Sequence, residues 1–320
     1  MQKFIIKLFV FLIPFVILYN LPKATHYIFN TELISKINTF TDDVNEPMII
    51  VGGDSRAERQ IIPKIMEERL GIKTINIAVS AGDVFILYNG LKKNNLADKE
   101  DILIISVSSW QINNNTVDLW GIPHTNITHM SFIDDIEIFG VEYLQILHSR
   151  LKNTLCELFG ISSNMTLTQS DKRTSTNGFL GIEGKINKAF IDTFDIDMDH
   201  QHLDWYNGSK HNGKRKIVFE NTLKKIAELG LSTIIYQPPF APCWVERTKD
   251  TYIDSLESDF SLLLKNISDQ YINMYYIDYY LDQDNNFQDE MFYNFNHCNA
   301  IGAEIFTNSI IDSILYKNLI

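Results

Sequence analysis

The chain reads as an α/β domain built on a central parallel sheet with helices on both sides. Three observations predict it. Short apolar runs alternate with amphipathic stretches at the spacing of strand–helix–strand units. The run "DILIISVSS" (101–109) is almost wholly apolar, as a strand covered on both faces must be. Glycines and prolines close most of the runs.

The elements follow in order. Residues 48–53 form a buried strand that stops at Gly52 and Gly53. "RQIIPKIMEERLG" is a helix ending at Gly71, with Pro63 either in its first turn or kinking it. "KTINIAV" (73–79) is a second short strand, "SAGD" a turn, and "VFILYNGLKKN" a second helix leading to the strand at 101–109. The rhythm is lost over about 110–215, a polar stretch read as an insertion over the sheet, with a helix at about 140–160. It resumes with a helix closed by Gly230, the strand "LSTIIYQPPF" stopped by Pro238 and Pro239, the helix "YIDSLESDFSLLLKNISDQY", the strand "INMYYIDYY" and the closing helix "GAEIFTNSIIDSILYK".

Ahead of this domain (47–320), residues 4–21 are apolar apart from Lys7 and Asn20, at the short end of what spans a bilayer. Lys3 and Lys7 precede the apolar core, which favours a cytoplasmic N-terminus and an exported remainder. Residues 1–23 are therefore expected to be a membrane anchor, with a cleaved signal or a buried helix as alternatives. Residues 24–46 are expected to be a stalk, and the main domain to lie outside the cytoplasm. The chain of 320 residues carries a net charge of −12 with scattered Lys and Arg, which argues against nucleic acid as a partner. Cys156, Cys243 and Cys298 are too few and odd in number for a disulfide framework. Asp195, Asp197 and Asp199 are spaced like the start of a calcium loop but lack its Gly and closing Glu, so no metal is expected.

Ligands of open parallel sheets bind at the carboxyl ends of the strands. There "GGDSR" (52–56) has neither the phosphate-loop nor the dinucleotide spacing. Ser55 at a strand-to-helix turn fits a nucleophile beside backbone N–H groups. It also fits a cap for a helix starting near Arg59. Asp54 fits a carboxylate accepting N–H groups in a tight turn. Arg56 and Trp110 fit either a sugar-binding cleft or a solvated charge and a rim aromatic. The candidate base for Ser55 is His297, in a polar loop just before the last helix. Cys298 beside it fits core packing.

"GGDSR" early and "NHCNAIGAEIFT" late resemble the first and last blocks of the SGNH (GDSL-like) hydrolase superfamily. The resemblance runs from about 47 to 317 and implies a three-layer, flavodoxin-like sandwich. Ser55 matches that family's nucleophile, His297 its base, and Gly302 and Ala303 the opening of its last helix. Asn294 stands where the family carries its acid; its carbonyl can orient an imidazole but not stabilise an imidazolium by charge. Asp289 and Glu290 are the candidate substitute acids. For the oxyanion, the second block offers the N–H of Ala81 or Gly82. The third-block Asn is missing from "SVSSWQ" unless Ser108 or Ser109 replaces it. Among anchored members of this family, O-acyl transfer or ester hydrolysis on cell-surface polymers is the common theme. The expected function is therefore Ser-dependent acyl transfer or ester hydrolysis on a cell-surface polysaccharide or other acylated polymer, without cofactor, with a membrane acyltransferase as a further partner. The competing expectation is a catalytically degenerate domain that binds glycan or scaffolds such an acyltransferase. A third is a cytoplasmic hydrolase whose N-terminal helix is buried.

Overall fold

A computed structural model describes residues 33, 36–37, 46–80, 82–93, 96, 100–113, 132–139, 179, 181–193, 211–280 and 287–318. Five strands form one parallel sheet: β1 (Ile49–Gly52), β2 (Thr74–Asn76), β3 (Ile102–Ser106), β4 (Ser232–Gln237) and β5 (Met274–Asp278). Their order across the sheet is β2-β1-β3-β4-β5. The chain runs outward from β1 to β2, then crosses back to β3 on the other side. The reversal sits between β1 and β3, where the crevice of an open α/β sheet opens.

Alternation along the strands builds two cores. Ile50, Leu103, Ile105 and Ile235 face α3 (Val84–Lys93), α6 (Lys214–Glu228) and α8 (Tyr252–Ser268). Ile49, Val51, Ile102, Ile104, Ile234 and Tyr236 face α1 (Ser55–Gln60), α2 (Pro63–Leu70) and α9 (Ala300–Tyr316). Period-two side-chain direction thus turns apolar strands into the middle layer of a three-layer domain.

The segment expected as one helix over 59–70 is two. Helix α1 starts at Ser55 and stops at Gln60; Pro63 then occupies the first turn of α2, where its missing N–H costs nothing. Gly71 ends α2 in the left-handed conformation, φ 69°. The strands at 74–76, 102–106, 232–237 and 274–278 fall inside the segments read from sequence. Helix α7 (Pro242–Thr248) was not anticipated, although Pro242 at its first turn is the ordinary signal for one.

Parts of the insertion are described. Helix α4 (Phe132–Phe139) lies against α6, where Asn221 Nδ2 donates to Ile138 O at 2.8 Å. Residues 181–187 reach the start of the last helix, with Ala300 N donating to Ile182 O at 3.1 Å, and α5 (Lys188–Thr193) packs against α7. The helix expected at 140–160 lies outside the described residues, as do residues 1–32, Cys156 and the Asp195–Asp199 run. Among the described residues no helix is long and apolar enough to cross a membrane. One expectation for 24–46 needs correcting: Leu33 and Ile37 are buried in the core against Gly90, and Lys36 Nζ donates to Glu58 Oε1 and Ala78 O, both at 2.6 Å. Leu33, Lys36 and Ile37 are part of the domain rather than of a polar stalk.

Candidate active site

The exit of β1 is built for close approach. Gly53 has φ 121°, and a Cβ on it would stand 2.5 Å from Ser106 O. A Cβ on Gly82 would stand 2.4 Å from Gly53 O. Only glycine serves at the first position, where both the torsion and the space exclude a side chain.

Asp54, 2 % exposed, follows at the N-cap of α1. Its Oδ1 accepts from Arg56 N at 3.0 Å and from Ser106 Oγ at 3.1 Å. Its Oδ2 accepts from Ser108 Oγ and, at 3.2 Å, from Trp110 Nε1. Asp54 is therefore the helix cap, and Ser55 is the first helical residue; the reading of Ser55 as a cap for a later helix is overturned. Arg56 is 4 % exposed and not a solvated charge. Its Nη2 donates to Ser108 Oγ, its Nε lies 3.7 Å from Asp54 Oδ2, and its guanidinium stacks 5.1 Å from the centre of the Phe240 ring. Trp110 is tied to the same carboxylate and is not merely a rim aromatic.

The last strands deliver the other half of the site. β6 (Phe292–Asn294) and β7 (His297–Cys298) form a small antiparallel hairpin that pairs Asn294 with His297. Asn299 caps α9 by accepting from Ile301 N and Gly302 N, while its Nδ2 donates to Gly184 O and Glu290 O. A Cβ on Gly302 would stand 2.2 Å from Met291 O, so the opening of α9 packs directly on the hairpin.

Across this junction Ser55 Oγ lies 2.9 Å from His297 Nε2, and His297 Nδ1 lies 3.1 Å from Asn294 Oδ1. The proton positions follow from the acceptors. Asn294 Oδ1 also accepts from Asn296 N (3.1 Å) and His297 N (2.9 Å), so this end of the amide is the carbonyl. His297 Nδ1 must then carry the proton, which leaves Nε2 as the acceptor for the Ser55 hydroxyl. The His297 pKa is lowered to about 3, first by burial and then by the positive charges of Arg59 and Arg56, partly offset by Asp54. The imidazole is thus held neutral, in the form a base requires.

The remaining sequence candidates divide. Asp289 is not near enough to serve His297: its Oδ1 accepts from Cys243 N at 2.8 Å and its Oδ2 pairs with Lys188 Nζ at 2.6 Å. Glu290 is exposed, and its backbone carbonyl serves Asn299. Neither acid is brought to the imidazole. The N–H of Gly82 donates to Val79 O at 2.8 Å and is spent on a turn rather than held open for an oxyanion; Ala81 lies outside the described residues. Ser108 and Ser109 do not replace the missing Asn, since Ser108 Oγ donates to Asp54 and Ser109 Oγ donates to Glu257 at 2.7 Å. The Ser55 N–H, at the first helical position, has no acceptor within its helix. Cys298 is fully buried and its thiol is pushed well up by burial; Cys243, also free, is pushed up to about 12 by burial and Asp289. Neither is a nucleophile.

Glu257 was missed from sequence. It is 1 % exposed on α8, accepts from Ser109 Oγ and from Gln237 Nε2 (2.8 Å), and its pKa is raised by burial. Its position four residues after Ile253 and three before Phe260, on the apolar face of its helix, was the available signal. Among the described residues no group of three His, Cys, Asp or Glu is arranged to hold a metal.

No protein-family model matches the chain, and no curated protein matches its sequence. Three of the solved structures to which it is similar are the following. A Streptococcus pneumonia protein provisionally assigned as a platelet activating factor is 11% identical, with TM-score 0.44, over 89% of this chain and 91% of that one. A mutant of Axe2, an acetyl-xylooligosaccharide esterase from Geobacillus Stearmophilus, is 11% identical, with TM-score 0.39, over 85% and 96%. A Bacteroides fragilis NCTC 9343 protein provisionally assigned as an acylhydrolase is 12% identical, with TM-score 0.37, over 92% and 100%.

Proposed function

We propose that the protein is a Ser-dependent ester hydrolase or O-acyl transferase, held at the membrane by residues 4–21 with its domain outside the cytoplasm, and acting on a cell-surface polysaccharide or other acylated polymer. The observation that carries the reading is the hydrogen-bonded series Ser55–His297–Asn294, at 2.9 and 3.1 Å, on the carboxyl edge of the sheet beside the switch point. In the first half-reaction His297 Nε2 takes the Ser55 proton while Oγ bonds to the ester carbonyl carbon. The tetrahedral adduct collapses, the alcohol leaves with the proton from His297, and Ser55 keeps the acyl group. In the second, His297 takes a proton from water or a sugar hydroxyl, that oxygen attacks the acyl carbon, and Ser55 is released with its proton restored. Water as acceptor makes the enzyme an esterase; a polymer hydroxyl makes it a transferase.

The test is covalent. Incubation with an activated aryl acetate is expected to add one acetyl group to the wild-type mass, located on Ser55, and to release the phenol catalytically; Ser55→Ala should do neither. Absence of both adduct and turnover in the wild type would leave the second reading, a domain that binds glycan or scaffolds a membrane acyltransferase. Two observations favour that alternative: the acid position is the uncharged Asn294, and the Gly82 N–H and the Ser108 and Ser109 hydroxyls are already engaged.

A further inference from the structure

Helix α1 places a second feature beside Ser55. Arg59 is four residues on, so it stands on the same helix face, and side chains on a helix lean back toward its N-terminus, here toward Ser55. The strand that carries His297 packs against this helix. Arg59 is half-buried, yet among the described residues it makes no salt bridge, and its Nε is buried without a hydrogen-bond partner. Arg56, one residue after Ser55, has its Nη1 in the same condition. The carboxylate nearest Arg56 is Asp54, which already accepts from a backbone N–H, two serines and a tryptophan. Arg56 also feels the buried Glu257, but Glu257 spends its oxygens on Ser109 and Gln237.

This is unusual on general grounds. A buried or half-buried guanidinium is ordinarily paired, because its desolvation is otherwise uncompensated. The chain as a whole carries a net charge of −12, so acids to pair with are plentiful. Elsewhere they are used: Arg215 pairs with Asp83 at 2.8 Å, Arg69 with Asp312 at 3.0 Å and Lys36 with Glu58 at 2.6 Å. Among the described residues Arg59, beside the nucleophile, has no acid of its own. Its charge reaches the site, since Arg59 and Arg56 are the two positive groups acting on His297.

We infer that Arg59, backed by Arg56, is an anion-recognition group, and that the substrate is an ester carrying a carboxylate, sulfate or phosphate close to the scissile acyl group. This rests on the reading of Ser55 as nucleophile and adds to it the charge class of the substrate. A guanidinium matches such planar or tetrahedral oxyanions with paired N–H donors, whereas a neutral sugar would leave its charge unanswered.

The experiment compares two acetyl esters, 4-acetoxybenzenesulfonate and phenyl acetate, on wild type, Arg59→Gln and Arg59→Lys. For Arg59→Gln, the ratio of kcat/KM on the sulfonate ester to that on phenyl acetate is expected to fall about 10- to 100-fold, through both KM and kcat. Arg59→Lys should recover part of the loss, because it restores charge without the fork. Added salt should weaken the wild-type preference for the sulfonate. Equal losses on both esters, or no loss on either, would overturn the inference, because a merely structural role moves both together. Independently of turnover, glucuronate should raise the wild-type melting temperature where glucose does not, and should fail to do so in Arg59→Gln. If Ser55 is never acylated but glucuronate still binds through Arg59, the catalytic reading fails and the anion site stands. If Ser55 is acylated and neither probe discriminates, the anion site fails alone. Should Arg59→Gln not fold, the lysine variant and the wild-type comparison of glucuronate with glucose decide.

Discussion

Replacing Asn294 with Asp tests the electrostatics of the base directly. The Oδ1 of Asn294 sits 3.1 Å from His297 Nδ1 and is fixed by two backbone N–H donors, so an aspartate carboxylate would be received in the same place. The charge centres of carboxylate and imidazolium would then lie about 4 Å apart, worth about 4 kcal/mol at an effective dielectric constant near 20. At 1.36 kcal/mol per pKa unit this lifts His297 from about 3 to roughly 6. The sign follows from the neutral imidazole being the active form. Wild-type kcat/KM on 4-nitrophenyl acetate should be nearly flat from pH 8 down to about pH 4.5, while Asn294→Asp should show a rising limb with its midpoint near pH 6. Above that limb the variant should be faster by about 10- to 10³-fold, as the base is stronger and the imidazolium gains a countercharge; loss of the same charge in a Ser protease triad costs roughly 10⁴. Asp289→Ala should leave the wild-type rate within about twofold, because its carboxylate is held by Cys243 N and Lys188. An Asn294→Asp profile that overlays the wild type, with no gain in rate, would refute the argument that Asn294 holds the base.

Two further outcomes concern stability. His297 has a folded pKa near 3 against about 6.5 unfolded, so the unfolded chain binds the extra proton between those values. Stability from this group is complete above about pH 6.5 and is lost as pH falls toward 3. Urea unfolding at pH 7 and pH 4.5 should show wild type losing about 2.5 kcal/mol more than His297→Gln, and equal losses would count against the neutral imidazole. Gly53→Ala meets both a φ of 121° and a backbone oxygen 2.5 Å from the new Cβ, and should cost about 3 kcal/mol or more; a loss under about 1 kcal/mol would show that this turn relaxes freely.

What was legible in the sequence was whatever repeats locally. Strands β1 and β3 are short apolar runs buried on both faces and bounded by Gly or polar residues, which is how such strands are ordinarily written. Ser55 and His297 were legible because each sits at an element boundary with a characteristic flank. The residues that join them spatially were harder to find. Asp54 could be assigned the Arg56 N–H from its turn, but not the hydroxyls of Ser106 and Ser108 or the indole of Trp110, which come from the next strand over. Whether Gly82 could donate to an oxyanion was undecidable, since a turn that captures its N–H and one that exposes it have the same sequence. Leu33 and Ile37 were read as stalk because two apolar residues in a polar stretch carry no signal until the groove at Gly90 is known.

The charges of the site form one argument. Attack by Ser55 on an ester builds negative charge on the carbonyl oxygen and positive charge on His297. Burial, Arg59 and Arg56 all oppose the second, and Asn294 does not answer it with a charge. With a neutral substrate the arrangement therefore has a weak base facing two guanidiniums. A substrate anion seated at Arg59 changes this balance without moving a residue. It cancels part of the positive potential at His297 and raises the imidazole's affinity for the Ser55 proton. The same contact that selects the substrate would then complete the base, so an anionic substrate should gain in kcat as well as in KM. Asn294→Asp supplies that negative charge permanently from the other side of the ring. If the reasoning is right, the two are alternatives, and the advantage of 4-acetoxybenzenesulfonate over phenyl acetate in kcat should shrink in Asn294→Asp while its advantage in KM persists.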